Sequence, residues 1–146
     1  MIRRIVILFI ALTALSCATA TATSRSDEAG VRAAMNEVMD ALNALDLPRI
    51  AAAFADDIDA FVPVAQGPRV EGKAALVKVF EGYIALQKTP THLVPEDMKV
   101  AVSGDVGIVS FQIKNPNVTS RRTFVFRKIG GRWLITHFHA SNFRPQ

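Results

Sequence analysis

The chain has 146 residues, half of them hydrophobic, with one cysteine and a formal net charge of +4. This length suits one domain, and the composition excludes collagen-like, disulfide-rich, coiled-coil and intrinsically disordered classes of protein. Composition therefore indicates a compact soluble core, but it does not indicate a reaction.

The N-terminal segment has the pattern of an export signal. Arg3 and Arg4 precede an apolar stretch at residues 5–15, which is shorter than the roughly 20 residues that a membrane-spanning helix needs. We therefore predict a secretory signal peptide over residues 1–22, cleaved after small residues. Residues 14–17 also approximate a lipoprotein signal, which would place a lipid on Cys17. The sequence leaves both processing routes open, cleavage by signal peptidase and lipidation of Cys17.

Either processing route predicts an exported protein, which is periplasmic or lipid-anchored in a bacterial envelope. Contact with a membrane is expected only through a lipid on Cys17. Because Cys17 is the only cysteine, the mature domain has no disulfide, thiol nucleophile or cysteine metal site. Without Arg3 and Arg4 the excess of basic over acidic residues falls from four to two, which argues against nucleic-acid binding.

Three helices are predicted after a short tether at residues 23–26. The first begins near Asp27, and its apolar residues recur every three or four positions: Val31, Met35, Val38, Leu42 and Leu45. Asp46 is expected to cap a second, alanine-rich helix that ends before Asp56. A short edge strand over residues 58–64 and a turn at 66–68 follow, and the third helix is predicted over residues 73–86.

The rest of the chain changes to four predicted strands, at residues 92–102, 106–114, 118–128 and 132–143. Clusters of Gly, Pro, Asn, Asp and Ser separate the strands and favour tight turns, so an antiparallel meander is expected. Helices followed by a sheet predict an α+β domain over residues 27–146, in which three helices cover one face of a curved, mainly antiparallel sheet. Such layers favour a cone-shaped cavity between them.

Five segments carry a recognisable pattern: 42–47 (LNALDL), 54–57 (FADD), 70–73 (VEGK), 104–106 (GDV), and the C-terminal run at 121–141. Together they resemble the SnoaL-like branch of the nuclear-transport-factor-two-like superfamily. The C-terminal run is also similar to the association domain of calcium/calmodulin-dependent kinase. The resemblance covers about residues 27–143 and implies a conical α+β fold, an internal pocket and a homodimer formed through the outer surface of the sheet.

The resemblance also bears on chemistry. In the steroid isomerase of this fold the general-base Asp directly precedes a proline in the first strand, and Val62 stands at that position here, before Pro63. The oxyanion-binding Tyr of that enzyme matches Val38. Pocket arginines of the kinase association domain match Phe124 and Ala140. Neither isomerase chemistry of that type nor that anion pocket is therefore expected, and no cofactor is expected.

The C-terminal hairpin supplies most of the candidate site. With a two-residue turn at Gly130-Gly131, His137 would pair with Phe124 and His139 with Arg122. Paired residues share a face of the sheet, and this face is predicted to carry Arg122, Phe124, Phe126, Trp133, Ile135, His137 and His139. A bulge in either strand would exchange the two faces.

Each of these side chains has a functional and a structural interpretation. His137 and His139 could transfer a proton or contribute two metal ligands, or they could form a structural cluster or a dimer contact. No metal site is predicted, because spacing fixes no third ligand. Arg122 could hold a carboxylate or enolate oxygen, or form a salt bridge. Trp133 could stack on a flat ligand or anchor the packing, and Tyr83 is the only phenol able to place a hydroxyl in a cavity.

Asp56, Asp57 and Asp59 form a carboxylate cluster in the sequence. A cluster of this kind can raise the pKa of one member toward use as a general acid or base. The alternative is a solvated end of the second helix.

Three functions stay open at this point. A binding module would hold a small, largely apolar ligand with its polar or anionic end near Arg122, His137 and His139. An isomerase, dehydratase or cyclase would use His137 or His139 for proton transfer and Arg122 for an oxyanion. A dimeric assembly or accessory module would bind another envelope protein through the sheet surface.

Overall fold

The computed structural model describes residues 25–63 and 69–144. The predicted signal peptide with Cys17, and the predicted turn at 66–68, lie outside the described residues.

Helix α1 occupies residues 25–43, so Arg25 and Ser26 belong to the helix rather than to the predicted tether. The predicted apolar stripe is confirmed at Val31, Met35 and Val38, which are fully or almost fully buried, but the predicted member Leu45 lies beyond the end of the helix. The helix ends where Leu45 adopts a left-handed conformation with φ of 56°.

Helix α2 (Leu47–Ala52) begins at the predicted cap. The Asp46 carboxylate accepts a hydrogen bond from the backbone N–H of Arg49 at 3.1 Å, and Pro48 lies in the first turn, where its missing N–H costs nothing.

Strand β1 (Phe54–Phe61) begins earlier than the strand predicted at residues 58–64, and α2 ends at Ala52 rather than just before Asp56, so both predicted boundaries are wrong. Pairing with another strand decides this boundary: the carbonyl of Ala53 accepts the N–H of Ile135 at 2.9 Å, and Phe54 lies beside Ile135. If the helix continued, the carbonyl of Ala53 would accept a bond within the helix, and the N–H of Ile135 would lose this acceptor. Asp56 and Asp57 are consequently exposed on a strand rather than at a helix end.

Strand β2 (Val70–Glu71) is followed by helix α3 (Lys73–Ala85), which confirms the predicted third helix. Gly72 precedes this helix with φ of 82°, a conformation that favours glycine. Leu76 is buried on the helix, and Phe80 and Ile84 pack against the core from the same side.

The remaining strands confirm the predicted meander: β3 (Glu96–Ser103), β4 (Val106–Asn115), β5 (Val118–Ile129) and β6 (Arg132–Phe143). The sheet has the strand order β2-β1-β6-β5-β4-β3. Only the β1–β6 pair is parallel among the described strands. Gly130 and Gly131 both have positive φ, as the predicted two-residue turn between β5 and β6 requires.

The core lies between the helices and the concave face of the curved, unclosed sheet. Helix α1 contributes Val31, Met35 and Val38 to it, and the central strands contribute alternating residues that point toward the helices. This confirms the predicted α+β fold with helices on one face. The opposite, convex face carries no element of the described chain.

Candidate functional site

A cavity of about 270 Å³ lies between the helices and the concave face of the sheet. Its volume is slightly below that of common ligand sites, which enclose about 300–1,000 Å³. The wall is mostly apolar, and α1, α2, α3 and the strands all contribute to it: Val38, Met39, Leu42, Ile50, Phe54, Val62, Pro63, Val79, Phe80, Leu93, Phe111, Ile113, Val118, Phe124 and Phe138.

Aromatic rings form a continuous wall along the sheet side of the cavity. The rings of Phe111 and Phe124 are stacked with centroids 5.7 Å apart, and those of Phe124 and Phe138 with centroids 5.2 Å apart. Phe80 of α3 approaches Phe138 at 6.3 Å and Phe54 at 5.6 Å. A flat apolar molecule would find complementary surfaces here.

Five polar residues interrupt this wall: Tyr83, Asn115, Ser120, Arg122 and Asn142. No Asp, Glu or His is among the described residues that line the cavity. Ser120 pairs with Asn142 of β6, and Arg122 with Ala140, so both side chains of β5 point to the concave face. The cavity therefore offers hydrogen-bond donors and one positive charge without a counter-charge.

Arg122 is the electrostatically unusual residue of the cavity. Burial lowers the pKa of its guanidinium below the ordinary arginine value, with a smaller opposing effect from Tyr83. Its Nε is buried without a hydrogen-bond partner, and so is the Oγ of Ser120. No carboxylate of the described chain forms an ion pair with Arg122, so the alternative of a structural salt bridge is not realised among these residues.

The predicted pairing of the hairpin is wrong beyond Ile135. Phe126 lies opposite Ile135 as predicted, but Val125 lies opposite His137 and Phe124 opposite Phe138, because a bulge at Thr136 shifts the register. His137 and His139 therefore lie on the convex face, away from Arg122.

The bulge is favoured by what each register would bury. In the unbulged register Phe138 would face solvent, while two imidazoles would face an apolar wall. With the bulge, Phe138 is 2% exposed and Ala140 is 4% exposed, both on the concave face. Burial of a phenyl ring contributes about 1.5–3 kcal/mol, whereas an imidazole in the same place would need a hydrogen-bond partner.

On the convex face His137 belongs to a polar cluster that also contains Asp59, Arg69, Phe61 and His139. The Asp59 carboxylate accepts hydrogen bonds from Arg69 and from the Nδ1 of His137. The bond with His137 is the largest cause that lowers the pKa of Asp59 below its ordinary value. The Phe61 ring contacts both imidazoles, with centroid distances of 6.2 and 5.7 Å. The predicted carboxylate cluster is thus divided: Asp59 pairs with His137 and Arg69 on this face, whereas the Asp56 carboxylate is exposed and lies 3.8 Å from the Nζ of Lys73.

Phe126 and Trp133 lie outside the cavity lining. Phe126 is fully buried in the core. Trp133 is partly buried against that core, where its Nε1 lies 2.9 Å from the position that a Cβ on Gly30 would occupy. The structure therefore places both side chains in packing positions. Phe124, Arg122 and Tyr83 are the predicted ligand-binding residues that do line the cavity.

Val38 and Val62, the positions matched to the isomerase Tyr and Asp, both line the cavity. The two positions that the resemblance matches to the general-base Asp and the oxyanion-binding Tyr of the isomerase are thus occupied by aliphatic side chains.

Several site residues were not identified from the sequence. Asn43 lies beside the cavity and fixes part of its wall: its side-chain amide donates to the carbonyl of Leu93 at 3.1 Å and accepts the Leu93 N–H at 2.7 Å. Ser120 could have been found from strand alternation, because it lies two residues from Arg122 on β5. Asn142 needed the bulged register.

No three His, Cys, Asp or Glu side chains in residues 25–63 and 69–144 come together so as to hold a metal ion. None of the helices within the same residues is long and apolar enough to span a membrane.

A curved sheet covered by helices, with a lined cavity between the layers, defines the class of cone-shaped α+β domains. Within that class, the model of the SnoaL-like domain family matches residues 31–145. The chain belongs to this family. No curated protein is similar enough to count as a relative.

Solved structures agree with this assignment. A nuclear-transport-factor-two-like (NTF2-like) protein of unknown function from Pseudomonas putida KT2440 is 27% identical with a TM-score of 0.75, over 81% of this chain and 87% of that chain. A ketosteroid isomerase-like protein from Erwinia carotovora atroseptica SCRI1043 is 22% identical with a TM-score of 0.70, over 82% and 98% of the two chains. The hub domain of the calcium/calmodulin-dependent kinase CaMKII from S. rosetta is 21% identical with a TM-score of 0.64, over 80% of this chain and 96% of that chain. The last two show the fold alone.

Proposed function

We propose that the protein is a binding module that holds a small, largely apolar molecule in the cavity. The observation that carries the proposal is the cavity itself, a space of about 270 Å³ walled by stacked phenylalanines and interrupted by a few convergent polar groups. A cavity of this composition is the usual form of a small-molecule site.

Binding is favoured over proton transfer by the position of the titratable groups. A general acid or base must reach the reacting atom within hydrogen-bond distance. His137 and His139 face away from the cavity, and Val38 and Val62 carry no titratable group. An isomerase, dehydratase or cyclase that uses either histidine would need a substrate on the convex face.

A thermal-shift and calorimetric screen with small aromatic and aliphatic compounds tests the proposal. A ligand at one hundred times its Kd should stabilise the protein by about 2.7 kcal/mol, which raises Tm by several degrees. Val79→Trp places an indole in the cavity wall and should abolish the shift. Lys78→Trp, on the exposed side of the same helix, is the matched control and should keep it. Shifts that survive Val79→Trp, or no shift with any compound, would contradict a ligand cavity.

A homodimer through the convex face is proposed with this function. That face exposes Ile108, which is 45% accessible, and Phe61, which is 37% accessible, and a hub domain is among the structural neighbours. Light scattering should give twice the monomer mass for the protein, and Ile108→Asp should shift it to the monomer. A wild-type monomer at micromolar concentration would refute the dimer.

Export remains a separate proposal, supported by the sequence of residues 1–22. Expression with cell fractionation and intact mass measurement distinguishes its two forms. A soluble periplasmic product lacking about 22 residues supports signal-peptidase cleavage, and a membrane-associated product with a diacylglyceryl group on Cys17 supports the lipoprotein form. A cytoplasmic product of full length would contradict both.

A further inference from the structure

Arg122 differs from the other basic residues of the described chain in the surroundings of its charge. Among the described residues, every other arginine or lysine is either exposed to solvent or paired with a carboxylate. Arg122 is largely withdrawn from water and has neither compensation. An uncompensated buried cation is unfavourable, and proteins usually keep one only where something complements it.

The donors around Arg122 are arranged on one patch of the concave face. Ser120 lies two residues away on β5, so both side chains point in the same direction. Asn142 pairs with Ser120 across the β5–β6 ladder and lines the same cavity. A guanidinium, a hydroxyl and an amide therefore occupy neighbouring positions of the β5–β6 ladder and line the same cavity, and the Ser120 hydroxyl has no partner within the described chain.

The charge count selects the kind of anion. One cation and two neutral donors match a group with a single negative charge and two acceptor oxygens, which is a carboxylate. Guanidinium binds a carboxylate through two parallel N–H bonds. A phosphate monoester carries up to two charges and would remain under-compensated in a cavity whose lining has a single cation.

The apolar part of the ligand has one direction in which to lie. Phe111 pairs with Arg122 across the β4–β5 ladder. The stacked rings of Phe111, Phe124 and Phe138 then lead from the guanidinium toward Phe80 and Phe54. We propose that the cavity selects a flat, apolar monocarboxylate, with its carboxylate held by Arg122, Ser120 and Asn142 and its ring against these phenylalanines. This inference rests on the proposed ligand-binding function.

Calorimetric titration with naphthoate and acetylnaphthalene tests the inference, because the two compounds share a ring and nearly share a shape but differ in charge. The wild-type protein should bind naphthoate about tenfold to a hundredfold more tightly, as expected for a charge-assisted hydrogen bond. Arg122→Met should abolish this preference and leave the affinity for acetylnaphthalene within about twofold. Arg121→Met is the matched control, since Arg121 is the exposed neighbour beside Phe143, and it should retain the preference.

The wild-type protein alone provides a second test that does not depend on how any variant folds. Naphthylmethylamine has the same ring with a positive charge, and it should bind at least about tenfold more weakly than acetylnaphthalene. Equal binding of the acid, the ketone and the amine would overturn the carboxylate inference while the ligand cavity stands. Failure of all three compounds to bind would overturn the inference and count against the proposed function as well.

Discussion

The Arg122 guanidinium has no carboxylate partner among the described residues, and this predicts that the ligand-free protein can be stabilised by removing its charge. Arg122→Met replaces the buried cation with a flexible apolar side chain that can contact Phe111 and Phe124. A buried polar group without a partner costs about 1–3 kcal/mol, and more when it is charged. Replacement of buried ionic groups by apolar ones is neutral or stabilising by up to about 4 kcal/mol. Because the guanidinium is not wholly removed from water, we expect a gain of about 1–3 kcal/mol.

Urea denaturation followed by circular dichroism measures this gain as a shift in midpoint at constant slope. Arg121→Met, on the convex face, should change the free energy of unfolding by less than about 0.5 kcal/mol. A loss of more than about 1 kcal/mol in Arg122→Met would refute the reasoning, because it would mean that the guanidinium makes stabilising contacts in the ligand-free state. The same substitution removes the preferred anchor for a carboxylate, so stability and function should change in opposite directions.

Three further substitutions test other parts of the structure. Gly107→Ala should destabilise the protein by about 1–3 kcal/mol in urea unfolding, since its Cβ would lie 2.6 Å from a methyl carbon of Val31; in combination with Val31→Ala the two costs should be clearly less than additive. Asp59→Asn should cost about 1 kcal/mol at pH 7, after discounting for its partial exposure. Because His137 lowers the folded-state pKa of Asp59, this stabilisation exists above about pH 4, the unfolded-state pKa, and disappears as pH falls through the lower folded-state pKa. Stability curves of wild type and Asp59→Asn measured against pH should therefore converge in acid, and parallel curves would contradict the ion pair. Asn43→Ala removes both hydrogen bonds to Leu93, and should cost about 1–3 kcal/mol and accelerate hydrogen exchange of the Leu93 amide; unchanged exchange would show that Asn43 does not hold this wall.

The sequence predicted the elements well where local chemistry determines them. Helix α3 follows from apolar residues at helical spacing, and the β5–β6 turn follows from two consecutive glycines that tolerate positive φ. The end of α2 could not be predicted in this way, because Phe54 fits a helical stripe as well as a strand. Its partner Ile135 lies far along the chain, and that pairing makes Phe54 part of β1.

Only part of the candidate site could be predicted, and the reason is again that contacts between distant residues decide the rest. Arg122 and Phe124 alternate regularly on β5, and they reach the cavity as expected. His137 and His139 alternate just as regularly on β6, but the bulge places them on the other face. Whether the bulge forms depends on the free-energy difference between burying Phe138 beside Phe124 and burying an imidazole there. That difference is determined by contacts with the neighbouring strand and α3, which no local sequence pattern shows.

The bulge at Thr136, and not only the identity of the residues in β6, determines which side chains line the cavity. Every residue of β6 after the bulge would change sides if the bulge closed with the sequence unchanged. Closure of the bulge would thus replace Phe138 and Ala140 on the concave face by two imidazoles, beside Phe124 and Arg122, without altering any side chain on β4 or β5. In this fold, an apolar β6 wall and a β6 wall with two titratable side chains differ by one bulge.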